Sequence, residues 1–219
     1  SPTTSTRNSF LNGGKTAYIL ESAGITDYLI MVHGDDSLIV IKGLLCDTTK
    51  EELRKTFVET NKSLGFECKI KVSTEWSEVE YCSSLFWPVK DGFVLGPKVG
   101  KRLPKIGFSL NNLKPGEVKG MLIGCNIECG YVPVLRIYTK HQLKLLKTTK
   151  KMAFKDRRSI YKSLPSSVHK LDEHTEAFFE ARYSISVTEA EKALSEVLTK
   201  NLTDCVDYSL LDLFTKRDL

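Results

Sequence analysis

Hydrophobic and polar positions in the first hundred residues switch between a helical and a strand period. Residues 8–21 carry an interrupted helical spacing, and Gly13-Gly14 inside it costs roughly 1 kcal/mol per glycine, so this stretch predicts a weakened helix. Asp27-Tyr28-Leu29-Ile30-Met31-Val32-His33 reads as a strand, Gly34-Asp35-Asp36 as a tight turn and Ser37-Leu38-Ile39-Val40-Ile41-Lys42 as a second strand. Two β-rich runs around a Gly-Asp turn predict a hairpin. A helix opens at Thr49, with Glu52 completing a capping box, and sets Leu53 and Phe57 on one face before Gly65 offers a left-handed stop. Phe66–Val72 alternates like an edge strand, and a second hairpin is expected across Tyr81–Phe86 and Gly92–Leu95, turning through Pro88-Val89-Lys90-Asp91. From about Asn111 helical spacing dominates. Its clearest case is the Ser186-x-x-Glu189 box, which puts Ala190, Ala193, Leu194, Val197 and Leu198 on one face. The fold class is therefore α+β, with a mixed first part, a helical second part and a boundary between residues 90 and 110.

Composition narrows the functional classes. With 219 residues, 41% of them apolar, the chain has ample material for a core and is not intrinsically disordered. No apolar run reaches the roughly 18 residues that cross a bilayer, and the polar opening Ser1–Thr6 is not a secretory signal. The chain begins without Met and is expected to be a piece of a longer protein. Six cysteines form no C-x-x-C pair, and Cys125-x3-Cys129 has no second pair and no His at finger spacing, so reduced thiols in a cytosolic protein are expected rather than zinc.

The net charge of +5 is unevenly spread. Residues 1–85 carry 9 Lys/Arg against 12 Asp/Glu, residues 86–135 carry 7 against 3, residues 136–162 carry 10 against 1, and residues 172–219 carry 5 against 11. A basic middle between acidic ends points to a polyanion, whose phosphates release counterions to Lys and Arg. The bland alternative is a solvated helical face.

The candidate chemistry sits at Gly34-Asp35-Asp36. Adjacent carboxylates on a rigid turn repel, and a divalent cation offsets that repulsion. Mg²⁺ is held through one or two carboxylates plus substrate phosphates, and two such ions about 3.5–4 Å apart serve phosphoryl transfer. Successive strand residues point to opposite faces, so the two aspartates are not equivalent, and Asp35 is assigned the main metal role.

Several ordered blocks resemble the RNA-dependent RNA polymerases of positive-strand RNA viruses. The family has a loop and helix of form S-G-x-x-x-T-x-x-x-N, followed by Ser or Thr, ahead of its Gly-Asp-Asp hairpin. Thr4-x3-Asn8-Ser9 fits the second half of that pattern, and the Ser-Gly half would precede residue 1. Thr49–Val72 matches the helix–strand element that follows the hairpin, and Tyr81-Cys82-Ser83 matches the primer grip. The run Leu95-Gly96-Pro97-Lys98-Val99-Gly100-Lys101-Arg102-Leu103-Pro104-Lys105 looks most like nodaviruses and noda-like relatives.

The resemblance implies a right-hand polymerase palm over residues 1–93, an antiparallel sheet with helices, followed by a mainly helical thumb over residues 94–219. It implies RNA-directed RNA synthesis, with RNA template, nascent RNA and nucleoside triphosphates as partners. Mg²⁺ or Mn²⁺ would be held by Asp35 and Asp36, and the work would be done in host cytoplasm at a membrane-associated replication complex. Asn8 would recognise the ribose 2′-hydroxyl, with Thr4 and Ser9 supporting it, since an amide both donates and accepts. The bland reading of Asn8 is a helix N-cap. Lys69 or Lys71 would protonate the departing pyrophosphate, only one of them facing the site, or else serve as edge-strand lysines that discourage aggregation. Tyr81, Cys82 and Ser83 would hold the nascent 3′ end, while Phe86 and Trp87 pack palm against thumb. Lys98, Lys101, Arg102 and Lys105 would contact product duplex, and the Lys144–Lys162 cluster would line the same channel. The family's first metal-binding aspartate lies upstream of the Asn8 block and has no counterpart in this sequence, so this piece alone is expected to be inactive.

Two other readings compete. A basic RNA-binding module without chemistry would bind RNA in a salt-sensitive way, indifferent to Mg²⁺ and Asp35. A reverse transcriptase shares palm chemistry, but different residues usually stand where this chain has His33-Gly34.

Overall fold

The Gly-Asp turn closes a hairpin in the computed structural model, which describes residues 2–43, 47–106, 112–150, 169–199 and 208–219. Strand β1 (Tyr28–His33) pairs antiparallel with β2 (Asp36–Ile41), from Tyr28↔Ile41 to His33↔Asp36. The loop is therefore the two residues Gly34 and Asp35, and Asp36 opens β2 rather than completing a three-residue turn. Of the two loop residues only Gly34 has a positive φ, +61°, the sign pattern of a type II′ turn.

The chain divides into two compact units, Ser1–Ser83 and Ser84–Leu219. In the first, helix α1 (Pro2–Ser22) begins earlier than the sequence pattern predicts and runs unbroken through Gly13-Gly14. A Cβ on Gly13 would only reach ordinary contact with Val32, so the helix lies close over β1. Helix α2 (Asp47–Ser63) starts two residues before the expected Thr49 and ends at Gly65, whose φ is +82°. Ile19, Leu20, Leu53 and Phe57 form the core of this unit, packed by Tyr28, Ile30, Ile39, Ile41, Ile70 and Val72. From Glu67 to Val72 the expected in-and-out alternation holds, with Phe66 exposed as well, but residues 66–72 form no ladder among the described residues, so this run is an extended segment and not an edge strand. Strand β3 (Glu80–Tyr81) follows.

The second unit opens on the hairpin of β4 (Ser84–Val89) and β5 (Gly92–Pro97), whose register pairs Pro88 with Phe93 and Val89 with Gly92. The turn is thus Lys90-Asp91 alone, and Pro88-Val89 belong to the strand. Leu85, Trp87 and Val89 alternate into a core shared with helices α4 (Pro115–Cys129), α5 (Leu135–Leu145), α6 (Glu173–Tyr183), α7 (Val187–Leu198) and α8 (Leu210–Asp218). With this burial β4 belongs to the second core, in keeping with the division of the two units after Ser83. Trp87 is fully buried against Phe178 and donates its Nε1–H to the Pro97 carbonyl.

Helix α3, the short helix Val99–Arg102, meets α8 closely enough that a Cβ on Gly100 would overlap the Phe214 carbonyl. The Ser186–Glu189 capping box forms as predicted, with Ala190 and Leu194 buried behind it. Burial pushes the Cys129 thiol up to about 12, with Cys125 adding to it, which keeps it protonated at neutral pH. Among the described residues no helix is long and apolar enough to cross a membrane. The molecule is α+β, with one small antiparallel hairpin in each unit and helices making up most of the second.

Candidate active site

One face of α1 is built in two halves. Its C-terminal half presents Thr16, Ile19 and Leu20 to the hairpin core, all buried. The same face, continued toward the N-terminus at helical spacing, presents Ser5, Asn8, Ser9 and Asn12 to the Gly34-Asp35 loop. A two-residue loop leaves its own peptide groups without ladder partners, and α1 supplies them. The Gly34 N–H donates to Ser9 Oγ at 2.8 Å, and Ser9 Oγ donates in turn to the Ser5 carbonyl at 2.9 Å. Asn12 Nδ2 donates to the Gly34 carbonyl at 3.4 Å and to the Asp35 carbonyl at 3.1 Å. Asn8 Nδ2 donates to Asp35 Oδ1 at 3.0 Å.

Asn8 and Asp35, 27 residues apart, are therefore brought together. Asn8 sits inside the helix and is not the N-cap of the bland reading. Ser9 lies in the same cluster, but both hydrogen-bonding roles of its hydroxyl are taken by backbone, so it supports the turn. Thr4 is exposed on the first turns of α1. Asn12 carried no signal in the sequence beyond lying one further helical turn along the Asn8 face.

Asp35 and Asp36 are both exposed, and neither forms an ion pair among the described residues. Asp36 lies on the other side of the turn, toward β3. Burial first, then the Cys82 thiol and the Asp36 carboxylate, push the Tyr81 phenol above its ordinary value. Cys82 and Ser83 both take left-handed backbone, with φ of +50° and +61°, which costs a non-glycine residue of order 1 kcal/mol or more.

A cation fits the turn in part. Asp35 and Asp36 are two hard oxygen donors without a competing Lys or Arg, a number that suits Mg²⁺ completed by water and phosphate. No group of three His, Cys, Asp or Glu side chains able to hold a metal exists among the described residues.

The lysines sort differently from the expectation. Lys69 and Lys71 are both exposed on the same side, because residues two apart in an extended run share a face, so they do not face opposite ways. Lys71 pairs with Glu78. Lys98, in place of a phosphate contact, is buried, and its Nζ donates to the Asp218 carbonyl at 3.2 Å. Arg102 also turns inward, to Glu128 at 2.9 Å and to the Cys125 sulfur. Lys105 is exposed and Lys101 half-buried.

Arg136, counted in the basic run, makes a two-pronged pair with Glu191 that ties α5 to α7. Lys140, Lys144, Lys147 and Lys150 are exposed, while residues 151–162 of the cluster lie outside the described residues.

The family model described as viral RNA dependent RNA polymerase matches residues 2–202, which takes in the Asn8 helix, the Gly34-Asp35-Asp36 turn and most of the helical unit. No curated protein matches the chain. With nearly its whole length matched, the chain belongs to the viral RNA-dependent RNA polymerase family.

Proposed function

We propose that the first unit carries the second half of a polymerase palm and the second unit its thumb, as in nodavirus-like enzymes. The observation that carries this reading is the Asn8–Asp35 hydrogen bond, 3.0 Å long across 27 residues. It sets the amide suited to a ribose hydroxyl against the carboxylate suited to a metal. In the reaction, the 3′-hydroxyl oxygen of nascent RNA bonds to the α-phosphorus of a nucleoside triphosphate. The bond to the bridging oxygen of the β-phosphate breaks, pyrophosphate leaves and the hydroxyl proton is lost.

Asp35 and Asp36 would hold Mg²⁺ or Mn²⁺, which supplies the positive charge for the attacking and leaving oxygens. Two carboxylates are fewer than a two-ion site uses, so the reading includes a further carboxylate beside Asp35 and Asp36. Asn8 spends its N–H on Asp35 and offers its amide oxygen to the 2′-hydroxyl. Lys69 is the candidate donor of a proton to pyrophosphate. Tyr81 and its strained neighbours hold the primer end beside Asp36, and Lys101 and Lys105 contact duplex backbone.

The test is primer extension by the polymerase that contains this chain. Asp35→Asn is expected to lower Mg²⁺-dependent incorporation by at least a hundredfold, in the range of losing one preorganised charge contact. Unchanged extension by Asp35→Asn would remove the metal assignment.

A further inference from the structure

We propose that Asn12 is a positioning residue for nucleotide addition: it holds the turn in the one conformation that aims Asp35 at the metal. This rests on the polymerase reading above. The two carbonyls that Asn12 Nδ2 binds, those of Gly34 and Asp35, belong to the two peptide planes on either side of the Asp35 Cα. Fixing both planes fixes φ and ψ of Asp35 together. The Asn8 bond then fixes the carboxylate itself, so Asp35 is held by α1 at three points.

The alternative conformation is near in energy. A two-residue hairpin loop takes type I′ or type II′, and the two differ chiefly by turning over the peptide between the loop residues. Type II′ needs a positive φ only at Gly34, as observed; type I′ needs it at Asp35 as well, which aspartate tolerates. In type I′ the Gly34 carbonyl points away from α1 and the Asp35 side chain is re-aimed. Asn12 donates to that carbonyl only in the observed turn, so it selects between the two. Asn12 is half-buried and fills no core position, which separates its role from that of Thr16, Ile19 and Leu20 further along the same face.

The experiment measures single-nucleotide incorporation by the whole polymerase across a Mg²⁺ titration, for the unsubstituted enzyme, Asn12→Ala, Asn12→Asp and Asp35→Asn. Mn²⁺ binding without turnover, read from the loss of its free paramagnetic resonance signal and expected to weaken in step with the Mg²⁺ midpoint, and thermal unfolding of each are followed in parallel. For Asn12→Ala the Mg²⁺ midpoint is expected to rise about fivefold to tenfold, the equivalent of one or two partly exposed hydrogen bonds. Saturating Mg²⁺ recovers most of the rate, and KM for the nucleotide moves less than twofold. Asn12→Asp keeps the size but turns the donor into a repelling acceptor, so its midpoint rises at least as far; it decides the matter if the alanine variant does not fold.

Folded variants whose Mg²⁺ midpoint is unchanged, whatever their melting temperature, would overturn the inference, because a residue that only secures α1 lowers the amount of active enzyme at every Mg²⁺ concentration alike. Asp35→Asn separates the two levels. An inactive Asp35→Asn with unmoved Asn12 variants rejects the positioning role alone, whereas a fully active Asp35→Asn rejects the polymerase-site reading beneath it.

Discussion

Replacing Asp218 by alanine should be the most damaging single change in the second unit. The carboxylate is wholly buried and pairs with Arg182, whose side chain is 1% exposed. Arg182 Nε and Nη2 donate to Asp218 Oδ1 at 3.2 and 3.0 Å, while the Tyr183 hydroxyl and the Gly100 N–H donate to Oδ2 at 2.9 and 2.7 Å. Alanine removes all four of these acceptor interactions and takes the counter-charge away from Arg182, whose Nη2 still reaches the neutral Arg217 carbonyl at 3.4 Å. A buried charge stripped of its counter-charge costs about 3–5 kcal/mol, a large share of the 5–15 kcal/mol that typically holds a protein folded. The melting temperature of this unit should fall by roughly 10–20 °C. Arg182→Met/Asp218→Leu removes both charges and should lie within about 2 kcal/mol of the unsubstituted chain.

The assay is urea unfolding followed by tryptophan emission in a Trp76→Phe background, where Trp87, fully buried in the second core, is the reporter. An Asp218→Ala chain within about 1 kcal/mol of its parent, or a double variant no more stable than the single one, would refute the reasoning.

Two further predictions concern residues that charge alone misreads. Lys98→Ala should lower stability and leave the salt dependence of RNA binding unchanged, because the ammonium is buried on the Asp218 carbonyl; Lys105→Ala should leave stability within about 0.5 kcal/mol and flatten log K against log salt by about 0.7–0.9 for each phosphate it no longer neutralises. Asp172 caps α6 through the His174 and Thr175 N–H groups and also accepts from the Lys90 N–H, so Asp172→Ala should cost about 1–2 kcal/mol at pH 7, read by urea unfolding. Partial burial pushes that carboxyl up, but the hydrogen bonds from Thr175, Lys90 and His174 outweigh it and leave it below the usual range. Since folding lowers this pKa, the stabilisation is complete above about pH 4 and is lost as pH falls through the folded value; the gap between parent and Asp172→Ala should close there.

Much of this architecture is legible in the sequence wherever burial sets the pattern. Leu53 and Phe57 on one helix face and the Ser186–Glu189 cap follow from periodicity or from a local hydrogen bond, whereas Val89, read as turn, proves to be a buried strand residue. The start of α1 does not, because Ser and Thr are mediocre helix formers and Thr3-Thr4-Ser5-Thr6 reads as coil. The polar positions next along the same face are wanted for what lies opposite them: Ser9 and Asn12 serve the peptide groups of a loop more than twenty residues away in sequence, with the Ser5 carbonyl receiving the Ser9 hydroxyl, a pairing that no local rule reveals. Lys98 fails for the related reason that its partner, Asp218, is 120 residues distant, and a lysine whose partner is unseen reads as solvent-facing. Residues 66–72 show the converse case, since alternation marks which side chains face inward but does not supply a strand to pair with.

The most direct measurement of the central claim, that a divalent cation sits at Gly34-Asp35-Asp36, is cleavage of the polypeptide by Fe²⁺ and peroxide in the polymerase bound to primed RNA. Iron in a Mg²⁺ site cuts the backbone nearest to it. Cuts are expected within residues 33–37, suppressed by excess Mg²⁺ and absent in Asp35→Asn. Cuts elsewhere, or cuts in this turn that persist in Asp35→Asn, would contradict it.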